Sequence, residues 1–101
     1  MSGFVSVARI DDVPEGEGRV VDANGIPVAL FNVRGEFRAL DNTCIHRGGP
    51  LGDGICDATT VTCPWHGWQF DLATGECASS PGESVYTYEV RIAGDDVQVK
   101  V

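Results

Sequence analysis

Two short segments, Cys44-Ile45-His46 and Cys63-Pro64-Trp65-His66, each place a cysteine and a histidine within a few residues of one another, with sixteen residues between His46 and Cys63. No hydrophobic pattern in the chain constrains the fold as strongly. Coordinate bonds to one shared centre require the two segments to lie side by side as facing loops. A thiolate is a good ligand for ferric iron and a neutral imidazole suits iron or zinc, so the four groups can complete one metal ion or supply two bonds to each of two irons. Ligand type alone leaves both open.

The rest of the chain is short. A domain of 101 residues buries only about two-thirds of its unfolded surface, so its core is thin and a bound metal centre can contribute to folding as well as to chemistry. No repeat, low-complexity stretch or Pro/Ser-rich linker divides the sequence, and a single domain over residues 1–101 is expected. Short runs rich in Val, Ile, Phe and Tyr lie between turn signals, the pattern of an all-β fold, and helix signals are weak throughout.

Strands are expected over Phe4 to Ile10, Arg19 to Ala23, Ile26 to Val33 and Glu36 to Leu40. Asn24-Gly25 suits a tight hairpin with positive φ at both turn positions, and Arg34-Gly35 makes the next turn. The first Cys-His pair therefore follows a strand end, where loops carry function. Thr59 to Cys63 reads as a strand entering the second pair, and Gln69 to Asp71 as one leaving it toward a turn at Ala73-Thr74-Gly75. Val85 to Ile92 alternates, with Val85, Thr87, Glu89 and Arg91 facing opposite to Tyr86, Tyr88, Val90 and Ile92. Gly94-Asp95-Asp96 then turns into Val97 to Val101, whose three valines are expected to face inward.

The residues flanking the ligands narrow the chemistry. Pro64-Trp65 before His66, Gly67-Trp68 after it, and Gly48-Gly49-Pro50-Leu51-Gly52 after His46 make the chain resemble the Rieske [2Fe-2S] family. The resemblance extends to Gln69-Phe70-Asp71, Thr74-Gly75 and Ser80-Pro81-Gly82. It implies an antiparallel β-sandwich with a two-loop cluster-binding subdomain, its loops at about residues 43–52 and 63–70. It also implies one [2Fe-2S] cluster, with Cys44 and Cys63 on an inner iron and His46 and His66 on an outer one. Exchanging two thiolates for neutral imidazoles removes negative charge from one iron, and such centres accept electrons at roughly -150 to +300 mV.

Departures from the family pattern place this chain within that range. High-potential members carry a disulfide between the two loops at the positions of Gly49 and Trp65, and place Ser and Tyr hydroxyls on sulfur at the positions of Trp68 and Phe70. None of these four residues can reproduce those bonds. Fewer hydrogen bonds to sulfur leave the reduced state less stabilised, so a potential toward the low end is expected, as in the ferredoxins of bacterial ring-hydroxylating oxygenase systems.

Cys56 and Cys77 lie outside the motif and read as ordinary thiols. One of Trp65 and Trp68 is expected to shield the cluster and the other to pack on the scaffold, with sequence leaving open which does which. Gly48, Gly49 and Gly67 are expected to permit tight turns that aim backbone N–H groups at sulfur. Ser79-Ser80-Pro81-Gly82 matches a loop that covers the cluster from a third side in the family. Arg47 is placed near the exposed rim.

Fifteen acidic against seven basic residues give a net charge of -8, which argues against nucleic acid or an anionic membrane as partner. No apolar run approaches the roughly 20 residues of a spanning helix, and no secretory signal is visible, so a soluble cytoplasmic protein is expected; a monomer is expected as well. The resemblance implies an electron carrier that is not itself an enzyme. It would take electrons from a flavin-dependent ferredoxin reductase and pass them to a terminal oxygenase, docking transiently near His46 and His66. Two alternatives stand beside it: a small subunit of a nitrite reductase, and a structural zinc module using the same four ligands.

Overall fold

The computed structural model describes residues 3–43, 49–57, 59–65 and 67–101. Its strands are β1 (Phe4–Arg9), β2 (Gly18–Ala23), β3 (Ile26–Val33), β4 (Glu36–Asp41), β5 (Ile55–Cys56), β6 (Thr60–Thr62), β7 (Gln69–Asp71), β8 (Thr87–Tyr88), β9 (Val90–Ala93) and β10 (Asp96–Lys100). Two single-turn 3-10 helices, Ile10–Asp12 and Leu51–Asp53, join them. The strands form three antiparallel sheets in the orders β1-β10-β9, β2-β3-β4-β8 and β5-β6-β7.

The four-stranded sheet is the middle layer, and β3 shows why. Residues Val28 to Asn32 are all buried, so both faces of this strand are covered. Val28 and Leu30 pack with Val13, Val21, Phe37, Val97 and Val99 in one cluster, toward the β1-β10-β9 sheet. Ala29 and Phe31 point the other way, into a second cluster with Leu40, Leu51, Val61, Phe70, Leu72 and Val85. This second cluster seats the small β5-β6-β7 sheet on the scaffold. The period-2 alternation of a strand thus feeds two cores from one segment.

Local chemistry fixes the hairpins around β3. Asn24 and Gly25 take φ of 53° and 89°, and Arg34 and Gly35 take 56° and 86°, the doubly positive pattern of turns whose twist matches the strands they join. Asn32, the buried polar side chain of the core, is satisfied at both ends. Its Nδ2 donates to the Val13 carbonyl at 2.7 Å, and its Oδ1 accepts from the Gly35 amide at 2.8 Å.

Two expectations need correction, and one strand carries no sequence signal. The run from Val85 to Ile92 is not one strand: Thr87–Tyr88 pairs with β4 and Val90–Ala93 pairs with β10, with Glu89 between them. The chain leaves one sheet for another at that point, and the Glu89 carbonyl accepts from Lys100 N–H at 2.9 Å. Val97 and Val99 are fully buried, but Val101 is 38% exposed because it lies past the end of β10. The two residues of β5, paired with Thr62 and Val61, carry no periodic signal of their own.

Candidate metal centre

Of the four expected ligands, Cys63 is among the described residues, while Cys44, His46 and His66 lie outside them. Cys63 follows directly on β6 and is 2% exposed. Its backbone closes a turn: Cys63 N–H donates to the Trp68 carbonyl at 2.7 Å, and Gly67 N–H donates to the Cys63 carbonyl at 3.1 Å. Gly67 adopts φ 75° to make this possible. Its amide serves the turn itself, so the glycine permits a tight turn here. This hydrogen-bonded turn extends the β6–β7 ladder by one step beyond the Thr62–Gln69 pair.

The first loop is anchored from the other side. Thr43 and Pro50 form an isolated antiparallel bridge, so the chain returns to the point from which it departed. Asn42 holds the returning strand: its carbonyl accepts from Leu51 N–H at 2.8 Å, and its Oδ1 accepts from Gly52 N–H at 2.8 Å.

The two segments meet at Gly49. It is buried, and a Cβ placed on it would lie 2.8 Å from Cys63 Sγ and 3.0 Å from Trp65 Cγ. Positions 49 and 65 are therefore neighbours across the two loops, and only the absence of a side chain at 49 lets the sulfur and the indole come this close to its backbone. A buried thiol facing a backbone cradle suits a soft metal centre bound through sulfur. The tryptophans divide their roles: Trp68 is half-buried against the core cluster that contains Cys63, whereas Trp65 is 57% exposed.

A third segment borders the site. Ala78 N–H donates to the Gln69 carbonyl at 2.8 Å, and Gln69 N–H donates to Ser79 Oγ at 3.1 Å, which ties the Ser79–Gly82 loop to the start of β7. The loop is closed on itself by Cys77 N–H to the Glu83 carbonyl at 2.8 Å and by Ser80 Oγ to Glu83 Oε2 at 2.6 Å. Pro81 and Gly82 are exposed.

Cys56 and Cys77 are free thiols, as expected. Burial, then the Asp57 carboxylate, pushes the Cys56 thiol above its ordinary value, so it is the less reactive protonated form that persists at neutral pH. Cys77 is 2% exposed within the same cluster as Cys63.

The Rieske [2Fe-2S] domain model matches residues 3–91 of the chain. The protein belongs to the Rieske [2Fe-2S] domain family. It is 35% identical over 99 residues to the ferredoxin component of the naphthalene 1,2-dioxygenase/salicylate 5-hydroxylase systems of a Ralstonia species, an alignment covering 97% of this chain and 95% of the relative. Among solved structures it is similar to a chain in the complex of reduced oxygenase and oxidised ferredoxin of carbazole 1,9a-dioxygenase, with a TM-score of 0.87 and 32% identity over 96% of this chain and 92% of that one. It is also similar to a Mycobacterium tuberculosis chain described as an NADH-dependent nitrite reductase small subunit, with a TM-score of 0.90 and 27% identity over 100% and 96% of the two chains. This Rieske domain carries one [2Fe-2S] cluster, and its all-β architecture is that of the Rieske fold. A cluster of this kind supplies reversible one-electron exchange.

Proposed function

We propose that this Rieske protein is a ferredoxin that takes single electrons from a flavin-dependent reductase and delivers them to a terminal ring-hydroxylating oxygenase. Cys44 and Cys63 hold the inner iron in this reading, and His46 and His66 the outer one. Residues 1–101 act as one domain, monomeric and cytoplasmic.

The observation that carries the reading is the character of the surface around Cys63. The segments 43–52, 63–70 and 78–82 contain one charged residue, Arg47, in a chain with 22. Pro64, Trp65, Gly67, Pro81 and Gly82 are exposed there. These segments are nearly uncharged and partly apolar, with Glu83 at their border on Ser80, and such a surface allows close approach of a partner with little desolvation cost, which electron transfer needs. The acidic residues lie outside these segments, where they favour solubility and long-range steering. Similarity to ferredoxin components over nearly the whole chain supports the oxygenase as acceptor.

The test is reconstitution of electron flow with a flavin-dependent ferredoxin reductase and a terminal ring-hydroxylating oxygenase. Reduced protein should be reoxidised by the oxygenase and re-reduced by the flavoprotein. Reoxidation only by a nitrite reductase catalytic subunit would favour the second reading, which similarity to the mycobacterial small subunit supports. In either case His66→Ala and Cys63→Ser should abolish the EPR signal of the reduced cluster. A variant keeping the wild-type signal would refute that ligand assignment, and a colourless purified protein containing zinc would refute both carrier readings.

A further inference from the structure

We infer that Trp65 is a non-covalent clasp, seated on the bare backbone of Gly49, that holds the two cluster loops together and shields Cys63 Sγ from water. The inference rests on the reading of Cys63 as a cluster ligand. Its basis is a three-part contact. Gly49 belongs to the segment anchored by Asn42, and Trp65 belongs to the turn anchored on β6 and β7. Space for a Cβ at Gly49 is closed by two neighbours at once: Cys63 Sγ at 2.8 Å, and Trp65 Cγ and Cδ2 at 3.0 and 3.1 Å.

These distances give the glycine a steric role. Its φ is not among the positive ones, so any residue could adopt this backbone; what a larger residue would disturb is the approach of indole and sulfur. The tryptophan is exposed by 57%, so one part of the ring is covered by this contact while the rest faces solvent. An aromatic ring costs little conformational entropy to fix and removes a large apolar area from water when laid on backbone. In a thin domain with no disulfide between these two positions, such a contact supplies a cross-link between the loops.

Chelator-driven loss of the cluster, followed by its visible absorption in fully loaded protein, reads this directly because a metal centre escapes through opened states of its loops. Trp65→Ala should lose the cluster about tenfold faster than wild type, and Trp65→Phe, which keeps a flat ring over Gly49, within about twofold of it. Gly49→Ala, with Trp65 intact, should also accelerate loss about tenfold, since the new methyl displaces the indole or the sulfur. The midpoint potential of Trp65→Ala should rise, because water reaching the site favours the more negatively charged reduced state. If Trp65→Ala folds by circular dichroism but takes up no cluster while Trp65→Phe loads fully, the clasp is again supported. Loss at the wild-type rate in Trp65→Ala or in Gly49→Ala would overturn it. The ligand reading fails separately, through Cys63→Ser retaining the native EPR signal.

Discussion

The amide of Cys63 donates to the carbonyl of Trp68 at 2.7 Å, closing the second loop into a turn that continues the β6–β7 ladder. The bond depends on Gly67, whose φ of 75° has no steric neighbour that a Cβ would meet within 4 Å. Gly67→Ala therefore tests backbone conformation alone. The left-handed penalty of about 1–2 kcal/mol for an L side chain should lower Tm by roughly 4–16 °C in a domain of this size. Differential scanning calorimetry of the holoprotein checks it; an unchanged Tm would show that the turn does not need the glycine.

Ser79 supplies the side-chain bond between the third segment and β7, by accepting from Gln69 N–H at 3.1 Å. Ser79→Ala leaves that amide to water, at a cost of about 0.5–1.5 kcal/mol. Hydrogen exchange should reveal faster exchange of Gln69 N–H, with the ladder of β2 to β4 unaffected. If Gln69 exchanges at its wild-type rate, another group satisfies it.

Asp71 caps the turn after β7: its Oδ1 accepts from Ala73 N–H at 2.8 Å and from Thr74 N–H at 3.0 Å. The Thr74 amide foremost, then that of Ala73, holds this carboxyl below the usual carboxylate range. A depressed native value means stability that is fully present above the unfolded value of about 3.9 and is lost as pH falls through the native one. Asp71→Asn keeps an acceptor oxygen and removes the titration. Its Tm should fall below wild type at pH 7, and the difference should close as pH drops below about 3.9. For so accessible a carboxylate the gap stays within about 1 kcal/mol. A gap that persists unchanged at pH 2 would refute the linkage.

Phe70 is fully buried in the cluster that also contains Cys63, and Trp68 packs against it; neither offers a hydroxyl to sulfur. The midpoint should fall toward the low end of the Rieske range of roughly -150 to +300 mV. Phe70→Tyr adds one donor inside that cluster. If the hydroxyl bonds a sulfur more strongly in the reduced state, about 1 kcal/mol of preference raises the midpoint by about 40 mV. A spectroelectrochemical titration placing wild type clearly in the positive range would contradict the argument from missing donors. With His46 and His66 as the ligands proposed above, the same titration over pH should show a midpoint that falls as pH rises, and a flat midpoint would count against that proposal.

Much of this molecule is readable residue by residue. The Cys-His segments with their glycine and proline neighbours point to a ligand set, of which Cys63 lies among the described residues. Asn24-Gly25 and Arg34-Gly35 specify two hairpins, because positive φ at paired positions is a local property of the residues themselves. The apolar run of β3 likewise signals a strand. Other features depend on what lies opposite in space. Glu89 breaks an alternating segment between two sheets because β4 and β10 offer it different edges. The surroundings of Trp65 and Trp68 part because Trp65 meets Gly49 from the other loop while Trp68 packs against the Phe70 cluster. Alternation and ligand spacing are written along the chain. Which edge a strand pairs with, and which ring meets a bare backbone, follow from contacts between residues far apart in sequence, and folding brings those together.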